Sequence, residues 1–211
     1  MYSKFLFKQT CVLISISILI GTVSSNAVFA ANINCNGTAD CIGTSNSDNI
    51  LGDGAGNKIF GDGPLGSFPT GAADNIAGGG GADVIRSQAG DDKVDAGSGD
   101  DEVHAGNGND KVYGNIGNDV CLDGDDDTDT IDGGPGNDCI NGEGNNPGPR
   151  GADILLGSTG NDDISAYQHH STESDGKKDK IDCGPGLDSA WFNTSTDHDL
   201  VAGNCEDQHT S

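Results

Sequence analysis

The feature that most restricts how this chain can fold is a nine-residue period holding one acid and one apolar residue in phase. Residues 78–86 (GGGGADVIR), 87–95 (SQAGDDKVD), 96–104 (AGSGDDEVH), 105–113 (AGNGNDKVY) and 114–122 (GNIGNDVCL) follow one another without a gap. The sixth position is Asp83, Asp92, Asp101, Asp110 and Asp119, and a more degenerate unit before them puts Asp74 in the same phase. The eighth position is apolar: Ile76, Ile85, Val94, Val103, Val112 and Cys121. Short units repeated in this way indicate a solenoid, in which each unit buries its apolar residue only by stacking on a neighbour.

Outside residues 69–122 the phase continues with slips. Asp48 and Ile50 open the array, and Asn57 with Ile59 form a unit that has lost its acid. A loop at 61–68 intervenes. After one residue inserted at Asp123, the pattern resumes with Asp129 and Ile131, then Asp138 and Ile140. A Pro/Gly-rich insert at 145–150 precedes Asp153 with Leu155 and Asp162 with Ile164. A second loop, 166–174, carries His169 and His170, and the array closes with Asp179 and Ile181, then Asp188 and Ala190.

A run of the form G-G-x-G-x-D lets the backbone turn through conformations that glycine tolerates and larger residues resist, turning carbonyl oxygens inward. The aspartate adds a hard anionic oxygen. The three residues that follow make a short strand whose one apolar side chain points inward, as period-two alternation requires. With two units per turn, residues eighteen apart sit above one another, so Asp74, Asp92 and Asp110 stack on one side and Asp83, Asp101 and Asp119 on the other. Stacked carboxylates repel unless a cation lies between them. Oxygen-only ligation with flexible geometry favours Ca²⁺ over the more strictly octahedral Mg²⁺. Same-side pairs predict four sites in the uninterrupted stretch, and the metal-ligand candidates are the phased acids Asp48, Asp74, Asp83, Asp92, Asp101, Asp110, Asp119, Asp129, Asp138, Asp153, Asp162, Asp179 and Asp188.

These units resemble the haemolysin-type, or RTX, repeat G-G-x-G-x-D-x-U-x, a parallel β-helix calcium binder. The resemblance spans roughly residues 43–191 and is tight between 78 and 122. It implies an all-β, right-handed parallel β-roll with multiple Ca²⁺ ions in its turns and a disordered apo state. It says less about biological purpose, because such repeats often accompany a separate toxin, protease or lipase domain. The family is usually exported by a route that reads a C-terminal signal, whereas this chain opens with an N-terminal one.

That opening segment has Lys4 and Lys8, an apolar run over 11–23 and a small-residue ending at Val28, Phe29 and Ala30, the pattern of a cleaved export signal. A membrane anchor is the competing reading, but the run falls short of the ~20 residues that span a bilayer and is broken by Ser15 and Ser17. Three segments follow: a signal at 1–30 cleaved near Ala30, a β-roll at 31–191, and a tail at 192–211 whose Trp191–Phe192 start reads as an apolar cap. Without the signal the chain carries 8 basic against 34 acidic residues, a formal charge of −26. Such a polyanion is repelled by nucleic acid and anionic lipid, which are bound through basic side chains. Calcium ions and an unidentified cell-surface or extracellular partner are the remaining partner classes. With 35 glycines and few aromatics, a conventional core is hard to build.

Six cysteines remain in the exported part. An even count outside the cytoplasm favours disulfides, and the spacing offers no zinc pattern. Cys35 with Cys41 and Cys183 with Cys205 would close the two ends, leaving Cys121 with Cys139 by elimination.

Rival functions are weaker. An enzyme needs a constellation outside the repeats, and the short segments left over do not hold a catalytic domain; His169 and His170 with Asp175 are the nearest thing to one. His104, at the ninth position of a unit, reads as a surface residue. Asp123, Asp125, Asp127 and Asp129 mimic the start of an EF-hand, but the twelfth position is Gly134 and no helices flank it. The reading is therefore a secreted, non-enzymatic calcium-binding repeat module. The alternatives are an adhesin or envelope protein in which calcium is only a scaffold and, less favoured, a small secreted hydrolase.

Overall fold

The computed structural model describes residues 31–37, 40–63, 71–144, 150–167 and 176–210. The segment 1–30, expected to be an export signal, lies outside them, as do His169, His170 and Asp175 and parts of the inserts at 61–68 and 145–150.

The described residues form short strands joined by turns: β1 (Asn32–Asn34), β2 (Asp40–Ile42), β3 (Asn49–Leu51), β4 (Lys58–Phe60), β5 (Asn75–Gly80), β6 (Val84–Ala89), β7 (Lys93–Ser98), β8 (Glu102–Asn107), β9 (Lys111–Ile116), β10 (Cys121–Asp126), β11 (Thr130–Pro135), β12 (Cys139–Asn141), β13 (Ile154–Thr159), β14 (Asp163–Ser165), β15 (Lys180–Asp182), β16 (Ser189–Phe192), β17 (Leu200–Val201) and β18 (Asp207–Thr210). Odd strands build one nine-stranded sheet and even strands another. Neighbours in both sheets are parallel, so the chain winds as an all-β parallel roll with two units per turn.

Period-two alternation sets each strand's faces. In β7, Val94 and Ala96 are buried while Lys93 and Asp95 face solvent. Register then stacks the inward aliphatics. Ile50, Ile76, Val94, Val112, Ile131, Leu155 and Ile181 run along one sheet, and Ile59, Ile85, Val103, Leu122, Ile140, Ile164 and Ala190 along the other. Each is at most 2% exposed. β-Branched side chains suit this pleated surface, and these two columns, with Ala96, Ala105 and Ala166 beside them and Phe192 and the disulfide cysteines at the ends, make the core.

The irregular stretch after Asp119 corrects the expected phase. The residue paired with Val103 is Leu122, not Cys121, which pairs with Glu102 on the outer face. The extra residue is thus Val120, 63% exposed, rather than one at Asp123. Three successive apolar residues offered three phases, and the roll buries the bulkiest.

The two end disulfides are present, Cys35–Cys41 and Cys183–Cys205. The pairing reached by elimination is not formed. Cys121 and Cys139 stand as thiols on neighbouring strands, hydrogen-bonded to each other. The tail continues both sheets: β17 pairs with β15, and β18 with β16. The end of the roll is covered by one more turn of the roll, on which Trp191 stacks against His209 with ring centroids 3.7 Å apart.

Candidate metal centres in the turns

The phased aspartates lie where the chain leaves a turn and enters a strand, and all are buried. They form two ladders. On one edge, the backbone N–H of Asp48, Asp74, Asp92, Asp110, Asp129 and Asp153 each donates to Oδ1 of the next member, in the order Asp74, Asp92, Asp110, Asp129, Asp153 and Asp179, at 2.7–2.8 Å. On the other edge, Asn57, Asp83, Asp101, Asp119, Asp138 and Asp162 donate to Asp83, Asp101, Asp119, Asp138, Asp162 and Asp188 at 2.6–3.0 Å. The expected same-side stacks are therefore in place, and they run through the inserts to both ends.

Each rung uses one carboxylate oxygen. Oδ2 of Asp74, Asp83, Asp92, Asp101, Asp110, Asp119, Asp129, Asp138, Asp162 and Asp188 is buried with no hydrogen-bond partner. The space it occupies exists because the first position of the unit is small. A Cβ on Gly78, Gly114 or Gly133 would fall on Oδ2 of Asp83, Asp119 or Asp138. Turns also lie directly on one another: a Cβ on Gly97 would meet the Gly79 carbonyl oxygen and one on Gly99 that of Gly81, and all four glycines have positive φ.

A buried ionised oxygen without a partner is strongly unfavourable. Accordingly, burial pushes Asp74, Asp110 and Asp119 up to about 7, Asp92 to about 8, Asp129 to about 9, and Asp83, Asp138 and Asp162 to about 6. The amide donated across the rung opposes this shift, and neighbouring carboxylates add to it. Asp101 and Asp188 are raised for the same first reason. Rows of anionic oxygens, with backbone carbonyls of stacked turns beside them, fit a hard divalent cation with flexible oxygen coordination, which is Ca²⁺ chemistry.

The ends of the ladders differ from the middle. Asp48 Oδ2 accepts from the Thr44 amide at 2.6 Å and its hydroxyl at 3.0 Å. Asn57, in place of an acid, accepts from the Asp53 amide and donates to the Gly37 carbonyl at 2.7 Å. At the far end Asp199 accepts from the amides of Asp179 and Asn193, and Glu206 from that of Asp188. Asp199 and Glu206 were missed in the sequence because the tail departs from the nine-residue spacing, although Asp199 stands two residues before Val201 as Asp179 does before Ile181. A second, exposed ladder was also missed. The amides of Asn118, Asn137, Asn161 and Leu187 donate to the side-chain oxygens of Asp100, Asn118, Asn137 and Asn161 at 2.8–2.9 Å. Its signal is the Asn that precedes Asp in three of these units.

The EF-hand-like run is divided. Asp129 belongs to a ladder, while Asp127 forms an isolated bridge with Arg150. Asp123 lies on the outer face, 3.0 Å from His104 Nδ1, and His104 Nε2 meets Glu102 at 3.0 Å. Hydrogen bonding to Asp123 raises the His104 pKa against its burial. Burial works against Asp123 ionisation, but His104, Cys121 and Asn141 hold it below the usual carboxylate range. Donor atoms of His104, Asp123 and Asp125 lie within 4.8 Å of one another, so His104 is more engaged than a plain surface residue.

The RTX calcium-binding nonapeptide repeat model matches in four copies, over residues 69–103, 89–121, 122–146 and 150–169. No curated protein and no solved structure matches the chain. Repeat pattern, parallel winding and orphaned turn oxygens agree: over residues 69–146 and 150–169 the chain carries RTX calcium-binding nonapeptide repeats, and the described residues wind as a β-roll.

Proposed function

We propose that the chain is an exported calcium-binding module that folds as Ca²⁺ fills its turns. The observation that carries this reading is the row of buried, partnerless Oδ2 atoms along both edges. Calcium supplies the positive charge those oxygens lack. Asp74, Asp92 and Asp110 on one edge, and Asp83, Asp101 and Asp119 on the other, would each serve the turns above and below, which makes binding cooperative. The outlying members Asp129, Asp138, Asp153, Asp162, Asp179 and Asp188 extend the sites toward the C-terminal end, with Asp48 the weakest ligand because Thr44 already satisfies it.

Extracellular calcium modules bind at about 10⁻⁴ to 10⁻³ M, so the turns would stay empty inside a cell and fill after export. The lysine-flanked apolar segment ending near Ala30 supports that route. Many weak sites together stabilise a fold with a narrow core by mass action. An extracellular or cell-surface partner would meet the stiffened outer faces, where Leu51, Ile154 and Leu200 are exposed on one sheet.

The test is far-ultraviolet circular dichroism of the exported chain, disulfides intact, during a Ca²⁺ titration with Mg²⁺ as control. A cooperative gain of strand signal with Ca²⁺ alone is expected. An unchanged spectrum with no bound calcium sinks the proposal.

A further inference from the structure

Asp62 is wholly buried, 0% exposed, in the turn between β4 and β5, where the nine-residue pattern has no acid. At the corresponding place one turn on stands Gln88, and two turns on Gly106. Asp62 Oδ2 accepts the Ala89 amide at 3.2 Å, and the Ala72 amide also faces the carboxylate. Oδ1 has no hydrogen-bond partner. Gly71 passes so close that a Cβ there would fall on Oδ2, so the backbone is closed over the group.

The charges around Asp62 make its burial harder to explain. Asp48 acts on it, and Asp62 in turn acts on Asp74 and Asp92, each interaction repulsive. Asp74 Oδ2 is itself buried and partnerless, and Asp92 Oδ2 is buried with only the Ser87 hydroxyl beside it, which also donates to the Ala105 carbonyl at 2.9 Å. A buried charge survives only when paired or bound to a metal. Calcium accepts six to eight oxygens in irregular geometry, and its affinity rises with the number of charged ligands.

We propose that Asp62 is a calcium ligand supplied from outside the repeat, adding a carboxylate within electrostatic reach of Asp74 and Asp92 and making its site the tightest of the array. Asp62 accepts from Ala89 and lies against Gly71, so an ion held here also joins the segment ending at Gly63 to the one that begins at Gly71. This inference rests on the calcium reading of the turns.

Equilibrium Ca²⁺ binding to the exported chain, measured by competition with a chromophoric chelator, separates the two. Wild type should show one step tighter than the rest. Asp62→Asn should weaken that step about tenfold or more and leave the others in place, Asp62→Glu should retain it, and Asp101→Asn should weaken only looser steps. A D62N protein that keeps the tight step, with circular dichroism matching wild type at saturating calcium, overturns the assignment while the calcium reading stands. Wild type that binds no calcium removes the calcium reading itself. Failure of both D62N and D62E to fold would mark Asp62 as a packing residue and also overturn the proposal, whereas failure of D62N with D62E folding and binding supports it.

Discussion

The stretch from β5 to β9 repeats every eighteen residues, whereas from Asp119 onward the turns take 19, 24 and 26 before returning to 20 and 18 at the last two rungs, as the ladder separations record. Side-chain geometry hardly registers the difference. Rungs in the regular part measure 2.7–3.0 Å and those across the inserts 2.7–2.9 Å. What is invariant is therefore the aspartate-to-aspartate rung and the apolar residue two places on, not the length of the unit. Extra residues leave through the turns, where no register depends on them. The exception is Val120, which is added between ladder and core and must bulge outward.

Calcium removal should erase the comparison altogether: with chelator at pH 7.5, both regions should lose their strand signal and amide protection. If the regular part alone kept protected amides, apolar stacking rather than calcium would hold it. The pH response follows from the same buried acids. Their pKa values in the metal-free roll are raised to about 6–9, above the unfolded value, so their stabilising contribution is complete below about pH 4 and is lost as pH rises through 6–9. The calcium-free chain should thus be more compact at pH 4 than at pH 8, and acid should raise the Ca²⁺ midpoint because protons compete for the ligands. Small-angle scattering and titrations at two pH values check both.

Within the folded state, Leu122→Ala should cost about 2–5 kcal/mol, while Cys121→Ser should be nearly neutral. The reverse order in calcium-saturated thermal melts would restore the uninterrupted nine-residue phase. Asp101→Ala, which removes a ligand serving two turns in the regular part, should lower the Hill coefficient of calcium binding and raise its midpoint by about tenfold, about 1.4 kcal/mol. Asp48→Ala should change calcium binding least, since Thr44 already occupies its second oxygen. Equal effects of the two would refute the assignment of shared sites.

Most of the architecture was legible because the repeat couples a charged and an apolar position at fixed spacing, and every phased aspartate that was singled out is buried. What was not legible has physical causes. The run Val120–Cys121–Leu122 is apolar throughout, so sequence could not choose which residue turns inward. Asp62 lies off phase and is buried only because the chain folds back over it at Gly71. Asp199 and Glu206 close the ladders from a tail whose spacing has drifted. The exposed Asn ladder carries no burial signature that would distinguish it from ordinary turn polarity.

The in-register stacking of turns also fixes a mechanical property. Each turn adds about 4.8 Å to the length of the roll, yet holds about eighteen residues that span roughly 60 Å when extended. Filling or emptying one pair of turns therefore changes the contour length open to those eighteen residues by an order of magnitude. Anything tethered to its ends would be drawn in or let out as the surrounding calcium concentration moves, while the Cys35–Cys41 and Cys183–Cys205 bonds keep their own short end loops closed in either state.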